Sequence, residues 1–275
     1  MKIDSHQHFW IFNPARDTWI DDNMKLIRRN FLPQDLQPVL QAAGFDGCVT
    51  VQSDQSELEN DFQLNHAAKN DFIKGVIGWV DLTASNVEER LAHYRQYEKM
   101  KGFRHVLQGE ADRAFMLTGA FKNGINKLNG FNYTYDILVH NDQLKHVLPF
   151  VAAFPDQPLV LDHMGKPDIK KQEIEQWAKD IKAISKFENV YCKISGMVTE
   201  ADWLHWQHED LLPYIDVVVQ SFGTKRIMYG SDWPVCLVAA DYGEAFNIAH
   251  RYFLSFSAAE KAAVFGENAA RFYRL

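Results

Sequence analysis

An alternation of eight short apolar runs with longer helical patterns predicts an α/β fold, a single (β/α)8 (TIM) barrel domain spanning residues 1–275. Two further observations point the same way. Side chains capable of chemistry fall at the carboxyl ends of those runs, where barrel enzymes carry their sites. The first run also leads into His6-Gln7-His8, where a doubly wound dinucleotide fold would want a glycine-rich turn.

The predicted strands are 2–9, 46–52, 73–81, 102–108, 134–139, 159–162, 190–195 and 226–230, each rich in β-branched or apolar residues. Helix punctuation separates them. Pro33 and Gly44 bracket a helix over 33–43. Ser85 and Glu88 form a capping-box pattern ahead of a helix over 90–100, and Asn141 or Asp142 can cap one over 143–154.

Composition narrows the function. A chain of 275 residues with 47% hydrophobic content suits one large globular domain. A net charge of -7, with no block of basic residues, argues against nucleic acid and acidic membrane surfaces as partners. The chain enters its first strand pattern without a basic and apolar leader, and no run of about 18 apolar residues occurs. Cys48, Cys192 and Cys236 are scattered singly, as expected in a reducing compartment. These features predict a cytoplasmic protein acting on a small molecule, with a homo-oligomer left open.

Successive side chains of a strand face opposite ways, so His6 and His8 project together and can share one ligand or metal. Two same-face histidines are costly to bury without partners. Gln52 ends the second run, Asp81 the third, and Arg104 with Gln108 the fourth. His140 follows the fifth, His163 the sixth, Lys193 and Ser195 the seventh, and Asp232 the eighth. His6, His8, His163 and Asp232 carry the catalytic hypothesis. Arg104 should face inward, with His105 structural between strand and helix, and the remaining histidines at surface or packing positions.

Four segments carry a resemblance: Asp4-Ser5-His6-Gln7-His8-Phe9-Trp10, Gly102-Phe103-Arg104-His105-Val106-Leu107-Gln108, Val160-Leu161-Asp162-His163-Met164-Gly165-Lys166-Pro167 and Tyr229-Gly230-Ser231-Asp232-Trp233-Pro234-Val235. Together they resemble the amidohydrolase superfamily and, within it, the amidohydrolase-2 group of sugar-acid and pyrone-dicarboxylate lactonases. The likeness runs from residue 2 to Tyr273. It implies a hydrolase opening a cyclic ester, here an aldonolactone such as L-fucono- or L-rhamnonolactone.

Lactone hydrolysis needs a water nucleophile, a base for its proton, and electropositive groups at the developing oxyanion. Asp232 is the expected base. His6, His8 and His163 would either hold one divalent metal together with Asp232, zinc by ligand type, or donate hydrogen bonds directly. The resembled group contains lactonases that need no metal, so both readings stand. An inward His140 would join the cluster. No lysine ends the fourth run, which argues against a carbamylated two-metal centre. Arg104 is the clear arginine at a strand end, too few for a dicarboxylate, whereas Trp19, Gln52 and Trp233 with Arg104 and His140 suit a hydroxyl-rich ring. The alternative is another amidohydrolase-type hydrolase or a metal-dependent decarboxylase of the same superfamily, the latter requiring the strand-five histidine as a ligand.

Overall fold

Eight parallel strands follow one another around the barrel in chain order in the computed structural model, which describes residues 1–275. They are β1 (Ile3–Gln7), β2 (Gly47–Val51), β3 (Ile73–Gly78), β4 (Met100–His105), β5 (Thr134–Ile137), β6 (Leu159–Leu161), β7 (Val190–Ile194) and β8 (Ile227–Tyr229). Helices α1 (Pro33–Ala42), α2 (Glu57–Lys69), α3 (Val87–Tyr94), α4 (Gly119–Leu128), α5 (Leu144–Ala152), α6 (Glu175–Ile184), α7 (Met197–Glu200), α8 (His208–Phe222) and α9 (Tyr242–Tyr252) surround the strands, and α10 (Ala258–Ala262) and α11 (Asn268–Tyr273) follow. The backbone closes between the first and last strands beyond their ends, where Asp232 N donates to His6 O at 2.8 Å and His8 N donates to Trp233 O at 2.7 Å. Gly230 permits this seam, because a Cβ there would lie 2.6 Å from the Cβ of His6.

Strands buried on both faces need apolar side chains on both. Those facing outward pack with the helices into a cluster of 65 buried residues. Inside the barrel, Ile3, Val49, Val51, Ile77, Val160 and Met228 fill the amino-terminal end against Ala269, Phe272 and Tyr273 of α11. Above this plug, the interior turns polar: Arg104, Asp136, Asp162 and Lys193 are all buried.

The structure shortens several expected elements. β3 ends at Gly78 because the Asn60 amide captures both backbone groups of Trp79, accepting from its N at 2.8 Å and donating to its O at 2.6 Å. Asp81 therefore leaves the barrel end and accepts from Thr83 instead. The helix expected over 90–100 is α3, seven residues of which precede Tyr94; its N-cap is Asn86, without a side-chain cap, and Met100 already opens β4. Val87, Leu91 and Tyr94 supply the buried stripe that fixes it. β4 stops at His105, since the following residues form a short 3-10 turn, Leu107–Gly109, in which Leu107 O accepts from Gln143 Nε2 at 2.9 Å. Ahead of α5, Gln143 reaches back to accept from His140 N at 3.0 Å, the capping role expected of Asn141 or Asp142.

Tyr273 ties the plug to the charged layer by donating to Asp136 Oδ2 at 2.9 Å. Tyr273→Phe removes one hydrogen bond to a buried carboxylate and should lower unfolding free energy by about 2 kcal/mol in urea titrations, with the fold retained.

Candidate active site

Four charged side chains stack across the barrel axis beneath the site. Lys193, fully buried, donates to Asp136 Oδ2 at 2.6 Å and lies 3.0 Å from Asp162 Oδ1 and 3.1 Å from His6 Nδ1. Arg104 donates through Nη1 to Asp162 Oδ2 at 3.2 Å and through Nη2 to Gln52 O at 2.6 Å and Gln52 Oε1 at 3.0 Å. Its Nη1 also lies 3.3 Å from His6 Nε2. Two acids and two bases compensate one another here, as burial demands. Burial pushes the Asp136 carboxyl up to about 6 against the pull of Lys193. For Asp162 burial works upward too, but Lys193 and Arg104 outweigh it and hold the carboxyl below its usual range.

His6 stands on this layer. Burial first, and then the charges of Lys193, His8 and Arg104, drive its imidazole well below the usual histidine range, so it is neutral at pH 7. A neutral imidazole accepts at one nitrogen only, so only one of the two cations bonds to it at a time. Above it, Asp232 Oδ1 lies 3.4 Å from His8 Nε2 and 3.9 Å from both His6 Nε2 and His163 Nε2. Burial would raise the Asp232 carboxyl, yet His163, the contact with His8, and Lys166 outweigh it and keep the group below the ordinary carboxylate range. Burial likewise takes His163 well below its ordinary value, although Asp232 opposes this.

The backbone presents these groups in uncommon conformations. His163, Met164, Gly165 and Lys166 form a consecutive left-handed stretch with φ between 50° and 69°, and Asp232 has φ 57°. Each non-glycine residue so placed costs roughly 1–2 kcal/mol, a strain that persists where a site requires it. Trp177 Nε1 secures the stretch by donating to Met164 O at 2.8 Å. Gly196 gives His163 room, since a Cβ there would fall 2.6 Å from its Nδ1, which instead lies 2.9 Å from Ser195 Oγ.

The donor set suits a divalent metal. His8 Nδ1 must donate to Val51 O, 2.8 Å away, which aims Nε2 at Asp232. Asp162 Oδ1, 3.4 Å from His6 Nδ1, can take the proton there and free Nε2 as a ligand atom. Donor atoms of His6, His8 and Asp232 lie within 4.8 Å of one another, a spacing one cation can span, and His163 Nε2 adds a further donor 3.9 Å from Asp232 Oδ1.

A cavity of about 500 Å³ opens over His8, His163 and Asp232 and is also lined by Trp19, Gln108, Lys166, Glu200 and Trp203. Arg104 reaches this cavity, but four of its five N–H donors face Asp162, His6 and Gln52, so it holds the charged layer rather than standing free for substrate. Gln52 and Trp233 do not line the cavity. Gln52 is fully buried as the partner of Arg104, and Trp233 packs edge-on against Phe9 and Phe31. His140 does not join the cluster either: its backbone begins the turn before α5, and its ring lies outside the cavity lining. His105 faces outward, with Nε2 2.7 Å from Glu110 Oε1.

Sequence reasoning passed over Glu200 and Trp203, which reach the cavity only because α7 folds over the β7 end. Lys166 lay inside a quoted motif, next to His163, and that adjacency was the available signal. Asp136 and Tyr273 gave none, since their meeting depends on the carboxyl-terminal helix entering the barrel.

Asp4 anchors the β1–β8 seam from behind, accepting from Ser231 N at 2.9 Å, His6 N at 3.2 Å and Tyr242 OH at 3.0 Å. Burial pushes its carboxyl up to about 6 from 3.8 despite these bonds. The folded protein thus binds the Asp4 proton more tightly than the unfolded chain. That contribution is full below pH 3.8 and lost as pH rises through 6. Asp4→Asn lacks it, so the stability of the variant relative to the parent should rise by up to about 3 kcal/mol between pH 4 and pH 7 in urea titrations.

Known proteins resemble this chain along its whole length. The amidohydrolase family profile matches residues 3–275. An L-fucono-1,5-lactonase of Burkholderia multivorans is 40% identical across all of this chain and 96% of its own length. An L-fucono-1,5-lactonase of Burkholderia ambifaria is 34% identical with the same coverage. A crystal structure of an amidohydrolase from Burkholderia multivorans with bound zinc is 39% identical and superposes with a TM-score of 0.96, covering 100% of this chain and 99% of that one. No helix here is long and apolar enough to cross a membrane. With its barrel, its histidine and aspartate cluster and its full-length likeness to these proteins, the chain belongs to the amidohydrolase family.

Proposed function

We infer that this protein hydrolyses a sugar-acid lactone, with Asp232 as the base that activates water. The full-length identity to two L-fucono-1,5-lactonases carries the reading. The cavity supports the substrate class: it offers Lys166, already paired with Glu200, and an Arg104 whose donors are largely engaged, so nothing in it clamps a substrate carboxylate. Trp19 and Trp203 supply faces for the C–H surface of a ring, and Gln108, Lys166 and Glu200 supply polar groups for hydroxyls. A decarboxylase would need the strand-five histidine at the cluster, and His140 is absent from it.

In the proposed reaction Asp232, ionised at neutral pH, takes a proton from the water that attacks the lactone carbonyl. The C–O bond of the ring then breaks, and the proton on Asp232 passes to the departing ring oxygen. His163 and His8 flank Asp232 and hold the carboxylate toward the cavity. His6, Asp162, Lys193 and Arg104 fix the floor, so little reorganisation accompanies the charge that develops on the carbonyl oxygen. His6, His8, His163 and Asp232 would hold one divalent metal, zinc by donor type, which when bound polarises the carbonyl. The three cysteines are unpaired and buried, in keeping with a cytoplasmic enzyme.

Asp232→Asn keeps the side-chain volume and removes the base. Turnover of aldono-1,5-lactones, followed with a pH indicator, should fall at least about 1000-fold while circular dichroism stays unchanged; turnover within tenfold of the parent refutes the role. Equilibrium dialysis against zinc should load one ion per chain, and His8→Ala should abolish that loading; zinc retained by the variant would remove His8 from the ligand set.

A further inference from the structure

We propose that the Lys166–Glu200 pair is a hydroxyl-reading clamp that selects lactones carrying vicinal hydroxyls over unsubstituted rings, an inference that rests on the lactonase reading above. Lys166 Nζ lies 3.3 Å from Glu200 Oε1, and both side chains line the cavity, 16% and 21% exposed. Side by side, a donor that cannot accept and an acceptor that cannot donate complement two neighbouring hydroxyls, one of which receives a hydrogen bond while the other gives one. The spacing of the pair is close to that between adjacent hydroxyl oxygens on a sugar ring. Bonds to charged partners are the strong ones, so the clamp separates a hydroxylated from a deoxy ring far better than an apolar wall could.

The pair is poorly explained as a stabilising feature. Partly exposed ion pairs contribute little to folding. Lys166 nevertheless occupies a costly left-handed conformation, at the end of the same stretch that presents His163. Lys166 also lines the same cavity as His8, His163 and Asp232. Glu200 is held at the end of α7, whose Thr199 Oγ1 donates to Gly196 O at 2.7 Å and whose Thr199 O accepts from Trp203 Nε1 at 2.9 Å.

The test compares kcat/KM on a fully hydroxylated aldono-1,5-lactone with that on δ-valerolactone, for the parent, Lys166→Met, Lys166→Arg and Glu200→Gln. The selectivity ratio of the parent should collapse about 10- to 100-fold in Lys166→Met and Glu200→Gln, chiefly through KM, with Lys166→Arg restoring part of it. Where δ-valerolactone turns over too slowly to read, competitive inhibition by the aldonate against 5-hydroxyvalerate gives the same ratio. A ratio unchanged in both variants overturns the clamp, whether both substrates lose equally or neither does. Thermal unfolding of each variant checks that the fold persists. Failure of the parent to open any lactone refutes the lactonase reading instead, and shows as silence in the parent rather than as an unchanged ratio.

Discussion

The compensated charge layer inside the barrel is the constraint on which the rest of this structure depends. Asp136, Lys193, Asp162 and Arg104 meet at 2.6–3.2 Å in the buried barrel interior. Removing one partner from such a set leaves an uncompensated charge in a dry interior, at a cost of about 3–5 kcal/mol. The layer separates two interiors with different tasks: an apolar plug below, sealed by α11, and a polar reaction floor above. Because Lys193 and Arg104 both face His6, the layer also keeps that imidazole neutral. Stability and site chemistry are thus written in the same four side chains.

Two features then position the reacting groups. The β1–β8 seam brings Asp232 onto His6 through a backbone hydrogen bond, so the base and the histidines come from opposite ends of the chain but share one local geometry. The left-handed stretch after β6 aims His163 at the same point. Neither is a loop free to drift, and both spend backbone strain to hold their side chains, as a preorganised site requires.

Much of this was legible in the sequence. Short apolar runs and helix punctuation revealed all eight strands, because parallel barrel strands must be apolar on both faces. Side-chain alternation along a strand placed Arg104 inward and His105 outward and paired His6 with His8, and strand-end position grouped these with His163 and Asp232. Strand ends were less legible, because they depend on side chains distant in sequence, such as Asn60 capturing Trp79. Substrate contacts were the least legible. Gln52 and Trp233 sit at strand ends as expected but are consumed by Arg104 and by the aromatic packing around Phe31. Whether a polar residue at a strand end meets ligand or a neighbour is decided by three-dimensional pairing, which periodicity does not encode.

Gly165, at φ 69°, lies between His163 and Lys166 in the left-handed stretch, and a Cβ there would come within 2.7 Å of Leu144 Cδ2. One rigid segment therefore carries both a member of the histidine cluster and a cavity lysine, and cannot be adjusted for one without disturbing the other. In evolutionary terms the two positions should be epistatic. Divergence in substrate choice should accumulate on the other walls, in α7 and the segments carrying Trp19 and Gln108, while residues 163–166 stay locked together.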